Sequence, residues 1–151
     1  MNREIFEDYI DEKLNTLSYR IDRRGKLNVL NYHLHSENFY RDFLNILYGW
    51  KLENLNSIQQ NAEAIDLLDS YNKIMIQVSA TNTKRKIDDT FNKPIFSKYT
   101  GYSFKFVSIA RPAEDLRKKV YSVPTNISFT PSQDIYDTPS IMNEIHNLDI
   151  D

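Results

Sequence analysis

Two short apolar stretches separated by Asp69-Ser70-Tyr71-Asn72 constrain this chain more than any other feature in it. Ile65 and Leu67 stand two apart in residues 64–68, and Ile74, Ile76 and Val78 alternate in residues 74–80. That two-residue period belongs to strands with one buried face, and the polar tetrapeptide between them supplies turn residues. The segment predicts an antiparallel hairpin. Register follows from the need to gather the apolar sets on one side, and Leu67 opposite Ile74 achieves it. Asp66 then stands opposite Met75, with Gln77 and Ser79 on the same side, so Asp66 and Gln77 become diagonal neighbours. An aspartate between Ile65 and Leu67 is poor strand material and needs a partner if buried, which marks Asp66 for chemistry. Gln77 between Ile76 and Val78 reads equally as a core amide or a ligand.

Helical periodicity surrounds this hairpin. Ile5, Tyr9, Ile10, Leu14, Leu17 and Ile21 recur at three- and four-residue steps, which predicts an amphipathic helix over 3–21, broken by Arg23-Arg24-Gly25-Lys26. Residues 27–35 read as an apolar connector. A second helix is expected to start at Ser36 as N-cap, with Phe39, Phe43, Ile46 and Trp50 as its core stripe and Glu37, Arg41, Asp42 and Asn45 off it. Residues 51–55 are a weak strand. Thr81-Asn82-Thr83 caps a third helix through about residue 92, ended by Pro94, with Ile87 and Phe91 inward. Residues 102–110 form a clear strand, 113–119 a short basic helix, 126–129 a last strand, and Thr138-Pro139 opens a final helix. The expected fold is therefore α/β, one central mixed sheet flanked by helices in a single domain over 1–151, read as the amino-terminal part of a longer protein.

Composition removes several function classes. With 151 residues, 40% apolar and 26% charged, the chain suffices for one ordinary core. It has no cysteine, hence no disulfide, thiol nucleophile or cysteine-bearing metal site. Gly25, Gly49 and Gly101 stand alone, which excludes the clustered glycines of phosphate-cradling loops, and there is no nucleophile elbow. No run approaches the ~18 apolar residues of a membrane span and Met1 leads into no signal peptide, so the expectation is a cytoplasmic chain without a membrane partner. His33 and His35 read as surface or packing residues rather than metal ligands. The aromatic residues read mostly as core, with Tyr40, Tyr48, Tyr99 and Tyr102 as the ones placed to stack on bases.

The net charge of -2 hides a lopsided distribution. Residues 76–119 hold ten Lys/Arg against four Asp/Glu, whereas 120–151 hold none against five. A block of that sign suits phosphate recognition as well as a solvated face, and Lys84, Arg85, Lys86 and Lys105 are its candidate nucleic-acid contacts. Glu37 in a helix, with Asp66 and Gln77 on adjacent strands, makes an oxygen-only set suited to Mg²⁺ or Mn²⁺. Directly after Ser36, Glu37 also has the simpler reading of a favourable charge at a helix start.

These residues carry a resemblance. The block from Ser36 through Glu37, Phe39, Tyr40, Arg41, Asp42 and Phe43 to Trp50, then Asn56, Ala64-Ile65-Asp66-Leu67, Ile76-Gln77-Val78-Ser79, Lys86-Ile87 and Asp134-Ile135-Tyr136-Asp137, resembles the SMEK domain of bacterial proteins. That domain is an amino-terminal module often followed by further domains, and the resemblance covers nearly the whole chain. The family is in turn similar to PD-(D/E)xK nucleases, and many members are suspected of antiphage defence roles. The resemblance implies a restriction-endonuclease-like core of helix, three strands, helix and strand, in a Mg²⁺-dependent nuclease acting on DNA or RNA. It makes Glu37 the helix-borne acid, Asp66 the metal-binding aspartate and Gln77 the occupant of the (D/E) position. Ser79 stands where the motif has lysine; Lys84 or Lys86, on the following helix, is the expected substitute. The alternative is a catalytically silent nuclease fold used for nucleic-acid binding or oligomerisation.

Overall fold

The computed structural model describes residues 3–24, 29–59 and 64–148. Two long helices come first, α1 (Arg3–Arg24) and α2 (Val29–Tyr48), then β1 (Glu53–Asn54) and the single turn α3 (Leu55–Ile58). The hairpin follows as β2 (Leu67–Asp69) and β3 (Ile74–Ser79), then α4 (Lys84–Phe91), a 3-10 turn (Pro94–Lys98) and β4 (Ser103–Ser108). The chain closes with α5 (Glu114–Arg117), α6 (Pro131–Asp134), β5 (Ile135–Tyr136) and α7 (Thr138–His146). All five strands join one sheet in chain order. β1–β2 and β2–β3 pair antiparallel, whereas β3–β4 and β4–β5 pair parallel, and α4 is the crossover that a parallel β3–β4 pair requires. The architecture is α/β with a mixed open sheet, as the sequence predicts. Among the described residues no helix is long and apolar enough to cross a membrane.

Several local expectations are corrected. α2 begins at Val29 rather than Ser36, because no glycine or proline interrupts residues 29–48, and Ser36 is fully buried inside the helix instead of capping it. The inner stripe is accordingly Ser36, Tyr40 and Leu44 at four-residue spacing, and the expected stripe holds only in part: Phe43 and Trp50 pack against the core, whereas Phe39 is 36% and Ile46 86% exposed. His33 and His35 lie in α2 with side chains outside the described residues, as does the break expected at Gly25. The stretch 126–129 contributes only a bridge from Ser128 to Ser103. The last strand is β5, two residues long and too short to show a period.

The hairpin register differs by two residues from the expected one, Leu67 pairing with Ile76 and Asp69 with Ile74. The tighter turn is held by fully buried Asp69, whose carboxylate accepts the backbone N–H groups of Lys51, Tyr71 and Asn72 at 2.8–2.9 Å and the Asn72 amide at 2.7 Å. Burial alone would raise the pKa of Asp69, but these donors outweigh it and lower it. A shift of two preserves side-chain parity, so the apolar face survives: Leu67, Ile74, Ile76 and Val78 pack with Leu14, Tyr40, Leu44 and Ile141 under α1, α2 and α7. On the reverse face Ile65, Met75, Phe104 and Phe106 pack under Ile87 and Phe91 of α4.

Candidate functional site

Ile65 and Leu67 lie on opposite faces of the sheet although a regular strand would put them on one. The alternation breaks at Asp66. Its N–H donates to the Ile76 carbonyl at 2.9 Å while Leu67 is the register partner of Ile76, so two residues oppose one, which is the arrangement of a β-bulge. Ala64, with φ of 83°, bends the chain just before it. The bulge turns the Asp66 carboxyl group toward α2, where its Oδ2 accepts the Val78 N–H at 2.7 Å and it meets the carboxyl group of Glu37.

Glu37, only 8% exposed, is fixed from below by asparagines. Asn54, itself 2% exposed, donates from Nδ2 to Glu37 Oε2 at 3.2 Å and to Asn38 Oδ1 at 3.0 Å, while its Oδ1 caps α3 through the Asn56 N–H. Asn56 Nδ2 donates to the same Glu37 oxygen at 3.3 Å. Burial raises the Asp66 pKa most, the negative charge of Glu37 raises it further, and the Val78 N–H and Asn56 amide oppose both, leaving it pushed up to about 7. Around neutral pH the Asp66 carboxyl group is therefore only partly ionised. Among the described residues no ion pair neutralises either one. A buried Glu37 and a half-buried Asp66 that meet without a neighbouring positive charge suit a cation, and Mg²⁺ commonly takes only one or two protein carboxylates. No third histidine or carboxylate joins them among the described residues.

Gln77 is not part of this cluster. It projects from the reverse face, 5% exposed, and accepts the Thr90 hydroxyl of α4 at 2.9 Å. The expected convergence of Glu37, Asp66 and Gln77 is thus replaced by a pair, because the bulge moves Asp66 to one side while strict alternation keeps Gln77 on the other. Ser79 bonds both the N–H and the carbonyl of Thr81 at 3.0 Å, shaping the turn after β3.

The basic residues divide. Lys84 pairs with Asp88 one turn along α4, lies 5.4 Å from the Tyr121 ring centroid, and lines a pocket of about 240 Å³ with Asn82, Pro112 and Lys119. Arg85, its side chain 90% exposed, faces Asp89 at 3.7 Å, and Lys86 is half-buried in the same first turn. Lys105 is withdrawn from solvent: its ammonium bonds Asp134 at 2.8 Å, with side chains only 13% and 9% exposed, between the rings of Trp50 and Tyr136. Tyr40 is fully buried, Tyr48 stacks on Trp50, and Tyr99 packs edge-on against Tyr102. Even so, α4 begins five residues beyond Ser79, and Val78 touches Asp66. The basic first turn and the carboxyl pair therefore share the end of the sheet where β3 finishes, the end at which open α/β sheets bind ligands.

Sequence reasoning gave no role to Asn38, Asn54 and Asn56, although Asn56 was among the residues that carry the resemblance. A family model described as the SMEK domain matches residues 9–146. No curated protein and no solved structure matches the chain.

Proposed function

We propose that this chain, which belongs to the SMEK domain family, is a PD-(D/E)xK-type nuclease module of a bacterial antiphage defence protein, with Glu37 and Asp66 as the ligands of a divalent cation. The order of helix, three antiparallel strands, crossover helix and parallel strand supports this reading. The observation that carries it is the meeting of buried Glu37 with half-buried Asp66 beside Val78 near the end of β3. Mg²⁺, when bound, supplies charge neutralisation at a phosphate and a water of lowered pKa. Asp66 would have to be ionised to hold the cation, while Asn54 and Asn56 keep Glu37 oriented and the Val78 N–H holds Asp66 in place. The basic start of α4 lies where a phosphodiester backbone would pass, with Lys84, Arg85 and Lys86 as its contacts.

Gln77, Ser79 and Lys84, the positions from which motif chemistry would come, each have another partner. They favour a second reading, a silent nuclease fold that binds nucleic acid without cutting it. One experiment separates the two. The full chain is incubated with Mg²⁺ or Mn²⁺ and single- or double-stranded DNA or RNA, beside Asp66→Ala. In the nuclease reading cleavage occurs and Asp66→Ala abolishes it together with the cation-induced rise in Tm. In the second, binding that weakens steeply with salt persists with no product. In both, cation affinity rises about tenfold per pH unit below about 7 as Asp66 releases its proton. A chain whose Tm ignores the cation and which binds no nucleic acid excludes both.

A further inference from the structure

We propose that Arg41 is a further phosphate-binding cation, the one tied directly to the carboxyl site; this rests on the nuclease-fold reading above. Arg41 stands four residues beyond Glu37 on α2, about 6 Å further along the helix axis and on the same side. Its Nη1 donates to Asn38 Oδ1 at 3.2 Å, and the same oxygen accepts from Asn54 Nδ2, which also donates to Glu37. Two amides thus index the guanidinium to the carboxyl pair. No comparable chain of contacts ties Lys84 or Lys105 to it, since the one is engaged with Asp88 and the other with Asp134.

The chemistry of the group fits the role. Nε and Nη2 of Arg41 form a fork on Asp42 at 2.8 and 3.2 Å, and this contact raises the guanidinium pKa further, so the charge is permanent. Of five N–H donors three are used, which leaves two for an incoming oxyanion. The Arg41 side chain is 32% exposed and that of Asp42 64%. A pair so open to water is weakly held, and a phosphodiester presents the same bidentate geometry as the carboxylate it would displace. Asp42 is then a gatekeeper that keeps the fork oriented until phosphate arrives.

The test measures binding of short fluorescent DNA and RNA oligonucleotides to the full chain in Ca²⁺, with parallel Tm shifts for the cation alone. Arg41→Ala should weaken binding about tenfold and lower the salt slope by about 1, leaving the cation-induced Tm shift intact. Arg41→Lys, which keeps the charge but loses the fork, should fall between. Asp42→Asn should strengthen binding about twofold to threefold by removing the competing carboxylate. That opposite direction is one a purely structural Arg41–Asp42 pair would not produce. If the native chain binds and Arg41→Ala binds equally well, or if Asp42→Asn weakens binding as Arg41→Ala does, the assignment is overturned while the nuclease-fold reading stands. If the native chain binds neither Ca²⁺ nor oligonucleotide, the underlying reading fails and takes this assignment with it.

Discussion

Replacing Asp66 by asparagine is expected to make the chain about 2–4 kcal/mol more stable at pH 8, an unusual direction for a hydrogen-bonded site residue. In the native fold Asp66 ionises only near pH 7, whereas its ordinary value is 3.8. Between those two pH values the folded state keeps a proton that the unfolded state has released. Native stability therefore falls as pH rises across that window and levels off above it. Asparagine has no proton to lose; its Oδ1 still accepts the Val78 N–H and its Nδ2 donates to Glu37. Urea unfolding at pH 8 and pH 4 measures the difference directly, and the advantage of the variant should shrink to within about 0.5 kcal/mol at the lower pH. Groups common to both proteins, such as Asp69 and Asp137 with their lowered pKa values, cancel. Saturating Mg²⁺ at pH 8 should recover much of the deficit of the native chain by mass action. Equal stability of the two proteins at pH 8 would remove the basis for a strained carboxyl pair.

The second large effect lies at Lys105 and Asp134. Asp134→Ala leaves an ammonium that is 13% exposed without its counter-ion and strips the Thr130 N–H of an acceptor at 2.6 Å. Removing one member of a buried pair costs about 3–5 kcal/mol. Lys105→Met with Asp134→Leu removes both charges, and the introduced thioether would rest against Trp50 and Tyr136, so the double variant should regain most of the loss. A double variant no more stable than Asp134→Ala would mean that the Thr130 bond, not the charge pair, supplies the energy.

Helix and strand identity was legible where a period runs long enough to be counted. α4 illustrates this: its Thr83 cap, its inward Ile87 and Phe91 and its end before Pro94 all follow from local chemistry. Tertiary competition governs the rest. Phe39 and Ile46 are as apolar as Tyr40 and Leu44, so the α2 sequence alone does not choose which side faces the sheet; the start at Val29 and the seat available to Tyr40 decide it. At the site, the meeting of Glu37 and Asp66 was expected together with Gln77, and alternation could not show that Gln77 stays apart, because a bulge cancels alternation at the one residue where it mattered. Gln77 shows the converse, a polar strand residue whose partner, Thr90, lies 13 residues away on a different element. The fifth strand escaped notice since two residues carry no pattern.

α1 and α7 pack together, and the seam between them joins Ser18 to Thr138, 120 residues apart, and Glu7 to His146. Seen as a problem of folding kinetics, this seam closes the longest loop in the chain, and the entropy of closure grows with loop length. The β2–β3 hairpin, whose partners are a few residues apart, has no such delay. α1 comes long before α7 in the chain and is among the last elements to be secured, since α7 must exist before the seam can form. In pulsed hydrogen exchange during refolding, amides of β2 and β3 should gain protection before those of α1; simultaneous protection would show that α2 alone suffices to hold the first helix in place.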